Sequence, residues 1–342
     1  MSKDSILDLC VLYGKTTTDE QFEVFSKSLR EALDYSGGML SKEFDEIVIS
    51  IYTDREEREY CKLLKTLDFP KVTFRTILKD AEPGSLRNSF LSYMIASPRH
   101  NENCVFTFFD GDDFIDHRYF EALNSEELRE YGWALCSPIA YYDSDISNQY
   151  YLNWIQNYAS REDGDVRPAV FSDDIGCQCW GKFYSYNVCL CTKFGKGLFE
   201  DVPFSYKVAS SFPNPAIYPK SVYYWRRNNP GSITRTSSTE GQIREGIKNL
   251  KDAMVIARAT SGAKENYYEY IGKRATTGAI TLLRNANKNC SEKFNELKDL
   301  ILDELGEFIE PEKVRDSEPD LWKVASKEIN LEEIFLNNWR MI

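Results

Sequence analysis

Three carboxylates fall within four consecutive positions of this chain: Asp110, Gly111, Asp112 and Asp113. Like charges at that spacing repel, and the cluster costs free energy unless something positive sits in it. Oxygen-only ligands suit Mg2+ or Mn2+, ions that commonly keep substrate phosphates in their shell. Gly111 lets the backbone turn tightly and leaves room for a close-lying ligand. The plain alternative is a solvated acidic loop, with Asp113 capping a helix from Ile115 onward. A second set with ligating chemistry is Cys177, Cys179, Cys189 and Cys191. Its C-x-C spacing departs from the C-x2-C knuckles of zinc sites, and short apolar stretches with alternating residues fit strands better. Nine cysteines, no small disulfide framework and no secretory signal lead us to expect reduced thiols in a cytoplasmic protein.

The elements around the acidic turn are legible as a pattern. Residues 7–13 are short, apolar and closed by Gly14, which predicts a buried strand. Thr18 offers a helix cap, and Phe22, Phe25, Leu29 and Leu33 follow at helical spacing. Residues 46–52 and 72–78 predict two more strands, with a charged helix over 55–67 between them. Pro83, Gly84 and Ser85 open a helix through Leu86, Phe90 and Met94. Residues 104–109 (CVFTFF) predict a fourth buried strand, and the acidic turn follows at once. Alternation of this kind predicts an α/β fold with a mostly parallel sheet flanked by helices. Ligands in such sheets bind beyond the carboxyl ends of the strands. Gly14, Lys15, Thr16, Asp54 and the acidic turn are therefore site candidates. Further strands are expected over 133–140 and 216–225, with residues 141–165 irregular between them. From about Thr236 apolar residues recur at three and four among charges, which predicts a C-terminal helical appendage. The expected division is 1–235 for the α/β unit and 236–342 for the helical region.

The whole-chain balance narrows the partners. A net charge of −12 argues against nucleic acid, which is bound by clustered Lys and Arg. It does not oppose a phosphorylated small molecule, because a carboxylate-held cation can carry the positive charge. No stretch approaches the roughly 20 apolar residues of a membrane-spanning helix. The 21 Tyr, 20 Phe and 6 Trp suit sugar-facing surfaces, though most of them are expected in the core.

Five segments, in order, resemble those of the family 2 glycosyltransferases. Residues 106–113 (FTFFDGDD) are similar to the family's D-x-D region, and 84–88 (GSLRN) to its A-R-N element. Residues 179–184 (CWGKFY) resemble the W-x-K-L-[FY] segment, and 198–204 (LFEDVPF) the E-D-x-x-F element. Residues 224–234 (YWRRNNPGSIT) resemble the closing Y-R-x-H-x-G-S-[IL]-T element. The likeness spans about residues 7–235. It implies a GT-A (Rossmann-like) fold and an inverting, metal-dependent glycosyltransferase of the hexosyltransferase type. The implied donor is a nucleotide-sugar, with UDP as the expected nucleotide, and the cation is Mn2+ or Mg2+.

The resemblance implies roles position by position. Asp110 would contact the ribose, Asp112 would bind the metal on the diphosphate, and Asp113 would support them. Asp54 would face the base of the nucleotide, and Arg87 would lie near base or phosphates. Asp201 would be the catalytic base with Glu200 beside it, and Trp180 would line the acceptor side. Asp201 lies between Phe199 and Phe204, where partial desolvation would raise its proton affinity. Without the resemblance, Glu200 and Asp201 read as an acidic first turn of a helix. Arg227, Asn229 and Ser232 would lie on the loop closing over the diphosphate.

Three departures stand out. The first strand ends in Tyr13, Gly14 and Lys15, where a P-x-Y-N turn is usual, so Lys15 is left to reach a phosphate. Asp54 is the one acidic residue kept of a D-D-G-S turn. Asn229 or Asn228 stands in place of the usual metal-site His, and an amide oxygen ligates more weakly than imidazole; His100 and His117 do not match that position.

Acceptors of the implied class are glycans, lipid-linked intermediates and polymers, as in polysaccharide biosynthesis, and the expected location is the cytoplasm or the cytoplasmic face of a membrane. Peripheral membrane association and oligomerisation through the C-terminal helices both stay open. The competing reading is a catalytically inactive sugar-nucleotide or glycan-binding protein on the same fold. A nucleotidyltransferase is disfavoured because Gly14, Lys15 and Thr16 lack the glycines of a phosphate loop.

Overall fold

The computed structural model describes residues 4–14, 17–53, 72–78, 82–142, 145–160, 164–227, 238–261 and 266–308. The expected helix over 55–67 lies outside them.

Strands β1 (Ile6–Tyr13), β2 (Glu46–Thr53), β3 (Val72–Leu78) and β4 (Val105–Asp110) form one parallel block. β1 is buried along its whole length, as a strand covered on both faces must be. Five more strands complete the sheet: β5 (Phe114–Ile115), β6 (Trp133–Tyr142), β7 (Asp145–Tyr151), β8 (Lys182–Ser185) and β9 (Ala216–Arg227). The order is β3-β2-β1-β4-β8-β6-β9-β5, with β7 beside β6. The parallel ladders, among them β6 with β9, are long; the antiparallel ones at β8, β7 and β5 are short. The sheet is thus mostly parallel, with the four-residue β8 reversed in its interior and β5 and β7 running antiparallel to their neighbours.

Helix α1 (Asp19–Glu43) starts at Thr18, whose side chain accepts from the Gln21 amide while Gln21 reaches back to the Thr18 amide. Its buried stripe includes Phe22, Phe25, Leu29 and Leu33. Helix α2 (Pro83–Ala96) begins on the proline, where the missing amide costs nothing. Residues 141–165, read as irregular, instead carry the end of β6, β7 and a short helix, Trp154–Ala159. Tyr-rich polar stretches of this kind pair as a hairpin with one face to solvent, and Tyr151 is 65% exposed.

Helix α3 (Asp201–Ser211) packs on α4 (Glu240–Ser261), which α5 (Asn266–Asn289) and α6 (Phe294–Leu305) join. Ile243, Leu250, Ile271 and Leu282 of these helices belong to the same buried cluster as Val202 and Phe204 of α3 and Phe108 of β4. Among the described residues no helix is long and apolar enough to cross a membrane.

Candidate active site

The acidic turn sits at the carboxyl end of β4, one strand from Gly14 at the end of β1. The Gly111 amide donates to Leu12 O at 2.8 Å. A Cβ at position 111 would stand 2.7 Å from that oxygen and 3.1 Å from the Phe22 ring, so the close approach needs glycine. After the turn the chain runs into β5, whose Phe114 and Ile115 pair with Tyr224 and Tyr223 of β9. Residues 114–115 are strand, and Asp113 caps no helix. It is 2% exposed, its Oδ2 accepting from the Tyr223 hydroxyl at 2.7 Å and its Oδ1 from the Arg226 amide at 2.8 Å. Arg226 Nε in turn donates to Asp112 O at 2.5 Å. Burial pushes the Asp113 carboxyl well above the ordinary range, helped by the charges of Asp112 and Asp110 and opposed by the two hydrogen bonds. Asp113 is thus the pin between the turn and β9, and Asp112 is left half-buried beside it.

Arg87 joins this turn to a second acidic element. It projects from the first turns of α2 and is 5% exposed. Its Nη2 donates to Asp110 Oδ1 at 2.7 Å and its Nη1 to Glu200 Oε1 at 2.9 Å. Segments far apart in the chain, at 84–88, 106–113 and 198–204, therefore meet at one guanidinium. The neighbouring Asn88 clamps the same region by a reciprocal pair: its amide donates to Phe194 O at 2.9 Å and accepts from the Phe194 amide at 2.8 Å. Gly84 lets α2 approach, since a Cβ there would lie 2.1 Å from Gly195 O.

Glu200 and Asp201 begin α3 after a backbone constraint. Phe199 has φ of 58°, an unusual left-handed conformation for a bulky residue, which costs of order 1–3 kcal/mol. Burial pushes the half-buried Asp201 carboxyl up to about 7, with the Glu200 charge adding to it and Arg87, Arg274 and Lys182 opposing. Burial likewise raises Glu200, against the pull of Arg87. A helix N-terminus favours the ionised form, but here burial outweighs it. An acid that titrates near neutral pH can take a proton at physiological pH and release it again.

Trp180 is stacked between Trp154, at 5.6 Å, and Tyr223, at 4.9 Å, and is 3% exposed. Trp225, 5.3 Å from Trp180, is the half-buried member of this group. Arg227 lies over Trp225 at 4.5 Å. Lys15, Asp54, Asn229 and Ser232 lie outside the described residues. His117 is on the surface against Tyr35, and His100 is buried on Asp8, so neither is at the turn. Cys177 and Cys179 lie in the loop before β8, and Cys189 and Cys191 on a short helix, Tyr186–Cys191, where strands were expected. Among the described residues no three His, Cys, Asp or Glu side chains are grouped to hold a metal by themselves.

Several positioning roles are not apparent from the sequence pattern. Lys182, 1% exposed, donates to Gly176 O at 2.6 Å and Gln178 O at 2.5 Å and lies 4.6 Å over the Trp154 ring. Burial lowers its ammonium to about 8. It fastens the loop that leads into Trp180. Tyr223 and Arg226 lie inside the 216–234 stretch, yet nothing in their spacing shows that they grip Asp113. Asn249 offers a fainter signal, as a polar residue in the apolar stripe of α4.

No protein-family model matches the sequence, and no curated protein matches it either. Among solved structures the chain is similar to a mannosyltransferase from Pyrobaculum calidifontis in complex with GDP-Man and Mn2+. That match has 10% identity, covers 94% of this chain and 86% of the other, and has a TM-score of 0.43. It is also similar to glucosyl-3-phosphoglycerate synthase from Mycobacterium tuberculosis in complex with Mg2+ and UDP (8% identity, 77% and 81% covered, TM-score 0.39). A third is mannosyl-3-phosphoglycerate synthase from Rubrobacter xylanophilus (9% identity, 77% of each chain, TM-score 0.40). Overlaps this loose carry no weight for the chemistry.

Proposed function

We propose that this chain is a metal-dependent glycosyltransferase of the GT-A type, moving a sugar with inversion from a nucleotide-sugar to a hydroxyl of a glycan or polymer acceptor. The observation that carries the reading is the Arg87 bridge, which joins the D-x-D-like turn to the carboxylate pair Glu200 and Asp201. Three of the five segments that resemble one enzyme family meet at this guanidinium, beside the carboxyl end of a parallel strand.

In this reading the Asp201 carboxylate takes the proton of the acceptor hydroxyl as that oxygen attacks the anomeric carbon. The bond from that carbon to the diphosphate breaks on the opposite face, and the nucleoside diphosphate leaves. Arg87 keeps Asp110 and Glu200 in place and spreads positive charge between them. The donor set fits Mg2+ or Mn2+, which take one or two carboxylates and leave the rest of the shell to water and phosphate. Asp112 and Asp110 would hold the ion, with Asn229 as the further candidate; when bound it offsets the charge of the departing diphosphate. Gly14, Lys15, Asp54 and Ser232 are assigned to the nucleotide side. Trp180 serves the acceptor side from beneath, through the half-buried ring of Trp225.

Screening UDP-, GDP- and CMP-sugars for Mn2+-dependent hydrolysis, with the anomer of the product read by NMR, tests the reading. Nucleotide binding without turnover of any donor would favour an inactive binding protein. Asp112→Ala should reduce affinity for UDP in the presence of Mn2+ by roughly 10–100-fold, on the scale of a lost charge-assisted ligand. Calorimetry showing equal affinity in the variant would take Asp112 out of the metal site.

A further inference from the structure

The loop that delivers Asp201 is gripped from two sides, and one of them is the C-terminal helical region. From α2 come Arg87 on Glu200 and Asn88 on Phe194, and from its N-cap comes Glu82, whose carboxylate accepts from the Gly197 amide at 2.9 Å. From α4 comes Asn249, 2% exposed, whose Nδ2 donates to Lys196 O at 2.6 Å and to Leu198 O at 2.8 Å. Those two carbonyls flank the turn that ends in left-handed Phe199. From α5 comes Arg274, 11% exposed, which pairs with Asp173 at 2.6 Å and lies 5.8 Å over the Phe199 ring. Backbone carbonyls buried in a loop need a partner, and here the partner is supplied from another part of the chain. A non-glycine residue with positive φ persists only where its surroundings over-determine it.

We propose that Asn249 and Arg274 are positioning residues for Asp201, so that the C-terminal helices are part of the catalytic unit. The inference rests on the transferase reading for what Asp201 does, but not for how the loop is held. Asn249 fixes the path of the turn by two hydrogen bonds. Arg274 fixes Phe199 and places a positive charge facing Asp201. The other groups that interact electrostatically with Asp201 are Glu200 on its own element, Arg87 from α2, Lys182 and Tyr184 from β8, and the Cys177 and Cys179 thiols. Removing the Arg274 charge moves the Asp201 ionisation to higher pH, because that charge favours the carboxylate.

The test uses the full-length chain with 13C-labelled aspartate carboxyls, and the Asp201 resonance is identified by its loss in Asp201→Asn. Arg274→Gln should raise the Asp201 midpoint and shift the acid limb of kcat/KM the same way, while Arg274→Lys should return both toward the parent. Asn249→Ala should speed amide exchange at Gly195, Gly197 and Leu198 by roughly tenfold or more, for two lost hydrogen bonds. It should also lower kcat more than it raises KM. If Asn249→Ala does not fold, Asn249→Ser, which keeps a shorter donor, gives the same comparison. An unchanged Asp201 midpoint in Arg274→Gln together with unchanged exchange in the Asn249 variant would overturn the inference. A shifted midpoint in a protein that turns over no sugar nucleotide would sink the transferase reading and leave the positioning inference standing.

Discussion

Replacing Asp201 by asparagine should slow sugar transfer by roughly 10²–10⁴-fold, the usual contribution of a positioned general base. Nucleotide affinity should be nearly unchanged, because in the proposed mechanism Asp201 acts on the acceptor hydroxyl and not on the nucleotide. In the parent protein kcat/KM should rise with pH and level off above about 7, where burial and Glu200 place the Asp201 ionisation. The same substitution should alter stability in the opposite sense. An aspartate in an unfolded chain ionises near 3.9, and Asp201 in the fold ionises near 7. Folding therefore favours its protonated form. The stability this gives is fully present below about 4 and is lost as pH rises through about 7. Asparagine is neutral at every pH. The variant should thus be more stable than the parent at pH near 8, by on the order of 2–4 kcal/mol, with the gap closing as pH falls toward about 4. Thermal unfolding at the two pH values, beside single-turnover transfer, checks both halves. A variant that retains the parent's transfer rate would remove Asp201 from the base role.

Replacing Arg87 by methionine should destabilise the fold by roughly 2–4 kcal/mol. Breaking a fully buried ion pair costs about 3–5 kcal/mol because a charge is left without its partner. The figure here is lower because Asp110 and Glu200 keep 30% and 20% exposure, and water screens what remains. Methionine fills much of the arginine stem's volume, so the loss reports charge rather than a cavity. Adding Glu200→Gln to Arg87→Met should recover a measurable part of the loss, since one of the stranded carboxylates is then gone. Urea unfolding at neutral pH with the four members of this cycle gives the coupling directly. A coupling near zero would mean that the bridge is not what holds the two acidic elements together.

The parallel half of the fold was legible because burial on both faces imposes a simple code. β1, β2 and β4 are mostly apolar runs in which Asp8, Ser50 and Thr107 are buried polar interruptions, and β3 begins and ends where the residue types change. The acidic turn was legible for a related reason, since three carboxylates at a strand end have few structural uses. The partners of that turn were not. Arg87 could be placed near it by resemblance, but its simultaneous grip on Glu200 depends on how α2 lies across the strand ends. No local pattern encodes that angle. A helix cap was the plain alternative for Asp113, because an aspartate ahead of an apolar segment suits an N-cap. The β5 pairing with β9, set by a segment more than a hundred residues away, decides otherwise. Trp180 was placed on the acceptor side by its motif, but its enclosure by Trp154 and Tyr223, remote in sequence, is set by tertiary packing. The composition change near residue 235 marks where helices begin, but the buried cluster runs on across it.

The packing of α3 against α4 also has a consequence for synthesis. As the chain leaves the ribosome, everything through β9 emerges before the helices that complete its neighbour's cover. Until α4 follows, the side of α3 destined to face it, together with the Lys196 and Leu198 carbonyls, is open to water and to other nascent chains. Such transiently uncovered apolar surface is what chaperones bind and what aggregation starts from. Pausing or truncation between β9 and α4 therefore leaves this surface uncovered, and expression is expected to suffer more from a stop near residue 236 than from one after α6.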